Sequence, residues 1–413
     1  MAKINVISLF SGCGGMDIGF AGGFICLKKS VNTNIHPDWI DCLYNKWVKL
    51  KKTDFEIVFA NDIRKDAKNA WVSYFKNTLK NAEDIYHLDS IVDLVKQEQS
   101  GINIFPKNAD IITGGFPCQD FSVAGKRKGF NSSISHNGIL IEDEKATVEN
   151  RGQLYIWMKN VINIVRPKLF IAENVKGLVN LENVKSIIEK DFSSAANGGY
   201  LVIPAQILHS ADYGVPQSRE RVFFFGFKKS ALSKQALNAL SSTPIPKEYT
   251  PYPKPTHAYT VDKTKNLYPP VTCKDIFFGL QEPDKSSDLS QQAYSRAKYM
   301  GKHCQGQIEI NLNSIAPTIR AEHHGNIEFR RLSKLHNGKN IKELNKNLKE
   351  RRLSVRECAR IQTFPDEYQF IIKNKVTSSN AYQLIGNAVP CLLAYNIAMR
   401  ISENWQKWFG SDI

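Results

Sequence analysis

Hydrophobic and polar positions fall into repeating blocks along the first 230 residues of the chain. Short, nearly continuous apolar runs recur, and stretches with helical spacing separate several of them. The runs are INVISLF (4–10), EIVFAND (56–62), ADIITGG (109–115), PKLFIAEN (167–174), IPAQILHS (203–210) and RVFFFGF (221–227), with helical patterns at 155–165 and 184–194. Such alternation predicts a doubly wound α/β fold with a mostly parallel sheet, whose ligands bind at the carboxyl ends of the strands.

The pattern changes after Phe227. Residues 228–270 contain seven prolines together with many Lys, Ser and Thr residues, which interrupts the alternation of strands and helices. From about Ser378 helical spacing returns. We therefore predict a domain boundary near 230–255 and a second, smaller module after it, as the chain length of 413 residues also suggests.

The amino-acid composition is typical of a folded protein, and its net positive charge favours a polyanionic partner. Hydrophobic residues make up 42% of the chain and charged residues 23%, which is far from the composition of disordered proteins. The net charge of +15 favours nucleic acid as a partner, ahead of a membrane surface, although a merely soluble basic protein remains an alternative. Eight cysteines without a CxxC pair suit a reducing cytosol, and we find no signal peptide or transmembrane segment.

The densest positive charge lies between Asn326 and Arg356. This segment has ten basic residues against three acidic ones, including the pairs 330–331 and 351–352. Such a run is typical of a solvated helix face and also of a binding surface, and the sequence leaves both interpretations open.

A glycine-rich turn, SGCGGMDIGF, follows the first apolar run. Gly12, Gly14 and Gly15 would let the backbone approach a ligand at a helix N-terminus, which suits a nucleotide-like cofactor. The spacing is not GxGxxG, so a simple tight turn is an equal alternative. Asp62 ends the next run and would hold ribose hydroxyls, although it follows the turn by about 48 residues instead of about 20; the excess lies in 27–55.

Cys118 stands directly after a proline in GGFPCQDFSVAGKRKGF. The thiolate is a nucleophile, and the basic residues 126–128 would lower the pKa of a nearby thiol. A lone cysteine is more often a small buried hydrophobe, and no second Cys or His lies at metal-ligand spacing. From these residues alone, packing and nucleophilic roles both stay open.

Charged side chains also occupy two later strand ends. Glu173 ends the fourth run and is a candidate proton donor, or else a charge at a helix N-terminus. Gln217, Arg219 and Arg221 stand at alternate positions leading into the last run, so we predict that they share one face. Two arginines on one face suit an anionic or carbonyl-rich ligand.

These motifs together resemble those of the DNA (cytosine-5) methyltransferases. The matching segments are FSGCGGMDIGF (10–20), GGFPCQDFS (114–122), ENVKGL (173–178), QSRER (217–221), RLSVRECARIQTFPD (352–366) and QLIGNAVP (383–390). They follow the family's order and cover most of the chain outside about 230–350. Six matches in order make coincidence a poor explanation.

The resemblance implies a covalent mechanism. In the family a cysteine attacks C6 of a cytosine rotated out of the duplex, C5 takes the methyl group of S-adenosylmethionine, and loss of the C5 proton and the cysteine restores aromaticity. Cys118 matches the nucleophile. Glu173 would donate to ring N3 and hold the exocyclic amine, and Arg221 would reach O2 of the base, with Arg219 in support.

The resemblance also implies a site for S-adenosylmethionine and no metal. The residues it assigns are Phe10, Gly12, Gly14, Asp62, Ile63, Asp89, Pro117, Leu154, Asn387 and Val389. Among them Asp62 would hold the ribose and Asp89 the adenine. Ile63 stands where relatives often have an aromatic residue, so a smaller contact with adenine is expected.

Double-stranded DNA is the implied partner. Ser122 and Lys126 match the mobile loop that meets DNA in the family. Residues of about 255–350 match the target-recognition region, where we expect a base reader among Arg320, Arg330, Arg331, His323 and His324. The spacing of His303-Cys304 and His323-His324 fits no standard zinc site. The stretch 131–150 departs from the family as an insertion, either an ordered flap or a disordered excursion.

The sequence therefore predicts a cytosine-5 DNA methyltransferase with an S-adenosylmethionine-dependent methyltransferase fold and an inserted recognition domain. The expected division is a catalytic domain of 1–250 and 377–413, a target-recognition domain of 251–352 and a hinge of 353–376. A monomer in a prokaryotic cytosol is expected, and a separate restriction endonuclease is a hypothesis. Two alternatives are a tRNA cytosine methyltransferase and a non-catalytic DNA-binding protein.

Overall fold

The computed structural model describes residues 3–117, 153–180, 183–259, 266–321 and 327–410. Its strands are β1 (Ile4–Leu9), β2 (Ile25–Leu27), β3 (Ile40–Tyr44), β4 (Trp47–Leu50), β5 (Phe55–Asn61), β6 (Tyr86–His87), β7 (Ile111–Gly114), β8 (Leu169–Val175), β9 (Tyr200–His209), β10 (Gln217–Ser218), β11 (Glu220–Lys228), β12 (Ala316–Pro317), β13 (Phe329–Arg331) and β14 (Arg351–Arg352). Its helices are α1 (Gly15–Ala21), α2 (Lys65–Phe75), α3 (Ala82–Ile85), α4 (Ile91–Gln99), α5 (Leu154–Val165), α6 (Val184–Ser193), α7 (Ala195–Gly198), α8 (Lys234–Leu240), α9 (Cys273–Ile276), α10 (Leu289–Gln292), α11 (Ile341–Leu344), α12 (Val355–Ile361), α13 (Ser378–Asn387) and α14 (Cys391–Phe409).

A seven-stranded sheet in the order β6-β5-β1-β7-β8-β11-β9 organises the fold. The neighbours from β6 to β8 pair in parallel, whereas β11 pairs antiparallel with both β8 and β9. Each of the six predicted apolar runs lies in one of these strands, and the two helical patterns form α5 and α6. The strand order reverses direction at β1 and β7, which is where ligands bind in open α/β sheets.

Two buried apolar clusters cover the opposite faces of this sheet. Successive strand residues alternate between them, so that Val6 and Phe223 belong to one cluster while Ile7 and Phe224 belong to the other. The first cluster includes side chains of α1, α2 and α14, and the second includes those of α4, α5 and α6. Helices on both faces of a mostly parallel sheet confirm the predicted doubly wound α/β architecture.

The C-terminal helices return to the beginning of the chain. Gly19 of α1 lies against the start of α14, where an added Cβ would be 2.6 Å from the carbonyl oxygen of Cys391. The run 378–409 is long and apolar enough to cross a bilayer by composition, but 83% of its most apolar window is buried. In the structure it forms α13 and α14 of the protein core.

The extra stretch between the glycine turn and Asp62 forms a small antiparallel sheet of its own. Its strand order is β2-β4-β3. The two ends of this excursion meet, because Gly22 forms an isolated bridge with Lys52. The insertion therefore forms a separate sheet, and β5 still pairs with β1 in the main sheet.

The basic segment of 326–356 combines exposed lysines with buried arginines, so it is a solvated face only in part. The exposed lysines are Lys334, Lys339, Lys342, Lys346 and Lys349. Four arginines of this segment are largely buried: Arg330, Arg331, Arg351 and Arg352. Arg331 donates to Glu282 (2.7 Å) and Glu343 (2.7 Å). Arg351 donates to the same Glu282 and to Glu357 of α12, at 3.0 and 2.8 Å. A buried ion-pair network thus joins β13, β14 and α11 to α12.

We expect Arg331→Met to lower the free energy of unfolding by about 2 kcal/mol, because it removes the charged hydrogen bonds of Arg331 and leaves Glu282 and Glu343 with one arginine each. Urea unfolding followed by circular dichroism measures this change. The exposed Lys334 provides the control, since Lys334→Met in the same region should change stability by less than about 0.5 kcal/mol. Equal stability of the two variants would show that the network contributes nothing.

Candidate active site

A cavity of about 250 Å³ opens at one edge of the main sheet. Its wall is built from the segments that follow the parallel strands at their carboxyl ends, which are 8–13, 61–64, 113–117 and 173–175. Arg221, at the beginning of the antiparallel strand β11, reaches the same edge. The cavity therefore lies where the fold predicts a ligand, and most of the predicted site residues meet there.

The glycine turn and Asp62 form one side of the cavity. The backbone N–H of Gly12 donates to Oδ2 of Asp62 (3.0 Å), and that of Arg64 donates to Oδ1 (3.0 Å). Gly12 has φ 53° and no protein atom within 4 Å of an added Cβ, so a side chain there would project into open space. Burial raises the pKa of Asp62, against the effect of these two hydrogen bonds.

Phe10, directly before the turn, has a strained backbone. Its φ is 53°, in the left-handed region that bulky residues rarely adopt. Such strain persists only where the surrounding structure imposes it, and it concentrates at binding and catalytic sites. Phe10 lines the cavity, so the strain lies at the site itself.

The C-terminal motif closes the opposite side of the cavity. Asn387 and Val389 line it, in the connection between α13 and α14. Gly15 is required for this approach, because an added Cβ would lie 2.3 Å from the carbonyl oxygen of Val389. The two ends of the chain thus meet at the cavity.

Glu173 and Arg221 form an ion pair in the cavity wall. Antiparallel pairing sets Glu173 opposite Phe223, and Arg221 is two residues from Phe223 on the same face. Nε of Arg221 lies 2.9 Å from Oε1 of Glu173, and Glu173 is 7% exposed. Burial raises the pKa of the Glu173 carboxyl, while Arg221 and Arg219 act in the opposite direction. The carboxyl group therefore keeps its proton to higher pH than an exposed glutamate would.

Asn174 fixes the segment that leads to Cys118. Its Nδ2 donates to the carbonyl oxygen of Phe116 (3.1 Å), and Pro117 lines the cavity. An added Cβ at Gly115 would be 3.0 Å from Oε2 of Glu173, so the carboxylate lies over this backbone. Cys118 itself lies outside the described residues, as do Ser122, Lys126 and the insertion of 131–150.

Arg219 does not share the face of Arg221 as we expected. It lies before the start of β11, so strand alternation does not extend to it. Its fully buried guanidinium donates to the carbonyl oxygens of Ile319 (3.2 Å) and Gly386 (2.9 Å). Its place is in a junction next to the site, where it holds the backbone at Ile319 and at Gly386 of α13.

Gln217 takes part in the same junction. It is completely buried, with Nε2 donating to Gln362 (2.9 Å) and Oε1 accepting from the backbone N–H of Ile319 (3.0 Å). Neither Gln217 nor Arg219 is part of the cavity wall, whereas Arg221 is.

Of the remaining predicted cofactor residues, Gly14 is not part of the cavity wall and lies against Trp71, where an added Cβ would be 2.5 Å from Cδ1 of the indole. Ile63 is 47% exposed at the cavity, and Leu154 of α5 lines it. Asp89 is exposed and lies beside the cavity-lining Ser90. Sequence reasoning missed Arg64, which lines the cavity and pairs with Asp66; its position two residues after Asp62 was the available signal.

The arginines predicted to contact DNA are engaged elsewhere. Arg331 is 1% exposed and bound by two glutamates, so it cannot reach a base edge in this conformation. Arg330 pairs with Glu343, and Arg320 donates to Glu328 (2.9 Å). His323 and His324 lie outside the described residues.

Comparisons with known proteins agree on one family. A model for C-5 cytosine-specific DNA methylases matches residues 4–403. The Type II methyltransferase M.BsuRI of Bacillus subtilis is 33% identical over 98% of this chain and 80% of its own. M.NgoPII of Neisseria gonorrhoeae, also a Type II methyltransferase, is 28% identical over 98% of this chain and 97% of its own.

Solved structures share the fold at low sequence identity. The S. pombe Dnmt2 methyltransferase has a TM-score of 0.56 and 16% identity, covering 97% of this chain and 98% of that one. The Entamoeba histolytica methyltransferase EhMeth has the same TM-score and identity, over 98% of this chain and 99% of its own. These likenesses concern the architecture alone.

Proposed function

The chain belongs to the C-5 cytosine-specific DNA methylase family and is a cytosine-5 DNA methyltransferase, and we propose that it acts through a covalent adduct between Cys118 and a flipped-out cytosine. The observation that carries this proposal is the buried Glu173–Arg221 pair. The pair faces the same cavity as Pro117, one residue before the nucleophile. A proton donor, a hydrogen-bond donor and a thiol would thus surround one ring.

The cavity fits S-adenosylmethionine. Asp62 offers a carboxylate for ribose hydroxyls, Ile63 offers an apolar surface for adenine, and the open space beside Gly12 admits a ligand where a side chain would obstruct it. Phe10, Asn387 and Val389 complete the wall. When bound, S-adenosylmethionine supplies an electrophilic methyl group.

The chain's own residues activate the base. Attack of the Cys118 sulfur on C6 moves an electron pair toward C5 and N3 of the cytosine. Glu173, whose pKa burial raises, donates its proton to N3 when it is protonated, so that negative charge does not accumulate on the ring. Arg221 donates to O2. Once C5 carries the methyl group, its proton leaves to solvent and the electron pair of the broken C5–H bond expels the sulfur from C6 as a thiolate. N3 returns its proton to Glu173, and the aromatic ring is restored. The cytosine must leave the duplex first because its ring is otherwise stacked.

The direct test is bisulfite sequencing of unmethylated plasmid DNA treated with the enzyme and S-adenosylmethionine. We expect protected cytosines in one sequence context, with no protection when the cofactor is omitted. Methylation of tRNA but not of this DNA would contradict the proposal.

Asp62→Asn should weaken the binding of S-adenosylmethionine about 10- to 100-fold, because a charged acceptor for the ribose hydroxyls becomes a neutral one. Isothermal titration calorimetry measures this without DNA. The exposed Asp84 of α3 provides a matched control, and Asp84→Asn should bind the cofactor as the wild type does. Equal affinity of the Asp62 variant would remove Asp62 from the cofactor site.

We propose that the enzyme modifies DNA in the cytosol. Relatives such as M.BsuRI are named Type II methyltransferases, and this likeness supports the proposal. We also propose double-stranded DNA as the macromolecular partner, a separate cognate restriction endonuclease, and a single chain as the acting unit.

A further inference from the structure

The described recognition region contains six arginines, of which one differs from the others. Five are bound to glutamates or to backbone carbonyl oxygens: Arg320, Arg330, Arg331, Arg351 and Arg352. Arg296 is exposed and contacts no glutamate among the described residues; its guanidinium lies 4.0 Å from the ring centre of Tyr294, and its Nη1 donates to the hydroxyl of the same tyrosine. This stacking restricts the side chain before any ligand binds.

Arg296 belongs to a segment without regular secondary structure in which exposure alternates. Along 296–300, Arg296, Lys298 and Met300 are exposed, whereas Ala297 and Tyr299 are partly buried. The segment therefore presents two cations and a flexible apolar side chain to solvent within five residues.

Arg352 holds this segment from behind. Its guanidinium is almost completely buried and donates to the carbonyl oxygens of Ala297 (2.8 Å), Lys298 (3.2 Å) and Gly306 (2.7 Å). It also donates to the carbonyl of Ile327. Burying a cation is unfavourable unless its donors are satisfied, and here they are satisfied by carbonyl oxygens. These hydrogen bonds fix the backbone of 297–306 and that of Ile327.

The start of this segment is hydrogen-bonded to α13, the helix whose C-terminal end lines the cavity. The backbone N–H of Ser295 donates to Oη of Tyr382 in α13 (3.3 Å). The same helix contributes Leu384 and Asn387 to the cavity. Its Gly386 also lies against the backbone at Arg320, where an added Cβ would be 2.4 Å away. The segment is thus connected to the catalytic site through one rigid element.

We propose that Arg296 reads a guanine edge in the DNA target, that Lys298 contacts a phosphate beside it, and that Arg352 is the positioning residue for both. The proposal rests on the DNA methyltransferase function above. Arginine binds O6 and N7 of guanine through two hydrogen bonds in the major groove, while lysine acts as a point charge on phosphate. Arg320, Arg330 and Arg331 do not take this role because each already forms an ion pair with glutamate.

The test is bisulfite sequencing of unmethylated plasmid DNA with the wild type, Arg296→Ala, Lys298→Ala and the exposed control Lys285→Ala. Arg296→Ala should lower discrimination at one flanking position about 10- to 100-fold. Lys298→Ala should reduce methylation of all contexts alike and lower the salt dependence of duplex binding by about one charge. The control should match the wild type.

A fourth variant tests the positioning role. Arg352→Lys keeps the charge but cannot bond to all four carbonyls, so we expect a raised KM for DNA and a relaxed sequence context, with unchanged cofactor affinity by calorimetry. Thermal melting verifies that the variant is folded.

The outcomes separate the two proposals. If the wild type methylates no cytosine at C5, the proposed function fails. If the wild type is active and Arg296→Ala keeps the wild-type context and discrimination, the assignment of Arg296 is wrong. A folded Arg352→Lys variant with wild-type context and KM would overturn the role of Arg352.

Discussion

Cys118→Ala should abolish methyl transfer to duplex DNA, with a loss of at least about 10⁴-fold in kcat, while cofactor and DNA binding persist. The attack of the thiolate makes C5 nucleophilic. Among the cysteines that the structure describes, only Cys13 lines the cavity. Burial raises the pKa of the Cys13 thiol far above its usual range, so it supplies no thiolate at neutral pH. Loss of the covalent route leaves the uncatalysed barrier in place.

Filter assays with tritiated S-adenosylmethionine measure the loss, and gel-shift titrations measure DNA binding. The exposed Cys42 of β3 provides a matched control, since Cys42→Ala should retain wild-type turnover. Turnover by the Cys118 variant at the wild-type rate would exclude the adduct mechanism.

Glu173→Gln should lower kcat by about 10² to 10⁴-fold, because the amide is a far weaker proton donor to N3 than the carboxylic acid. Burial raises the pKa of Glu173, so the active protonated form persists to higher pH than for an exposed glutamate and is lost above that raised pKa. The wild-type rate should therefore fall as pH rises through the raised pKa of Glu173. The variant, which has no proton to lose there, should lack this fall.

Steady-state rates as a function of pH, beginning below the ordinary pKa of glutamate, measure both effects. Glu220 lies one residue before Arg221 and pairs with Lys176 instead of facing the cavity, so Glu220→Gln is the control and should keep the wild-type profile. A Glu173→Gln variant with the wild-type rate and the same fall with rising pH would assign the proton to another group.

Much of the fold followed from the sequence because the sheet is buried on both faces. Continuous apolar runs such as that of β11 identify such strands directly, and their carboxyl ends mark the site. The position of Asp62 was also predictable despite the long insertion before it. The insertion closes on itself through Gly22 and Lys52, so it adds a small sheet without changing the main one.

The charged residues were predicted less well because charge along a sequence does not reveal its partners. Arg331 stands in a basic run, but the glutamate that neutralises it, Glu282, is 49 residues away. In the sequence Arg219 stands two positions before Arg221, but β11 begins after Arg219, so the two side chains do not share a strand face. Arg296 has no distinctive sequence neighbours, and its exposure becomes evident only once the other arginines are placed.

The most direct test of the central claim is a mass measurement of the covalent complex. A duplex carrying 5-fluorocytosine at the methylated position has no C5 proton to release, so the adduct cannot resolve. We expect the wild type with S-adenosylmethionine to gain the mass of the duplex strand plus one methyl group, with the peptide containing Cys118 as the attachment site, and Cys118→Ala to gain nothing. Absence of the adduct from an otherwise active wild-type enzyme, or its persistence in the Cys118 variant, would contradict the account.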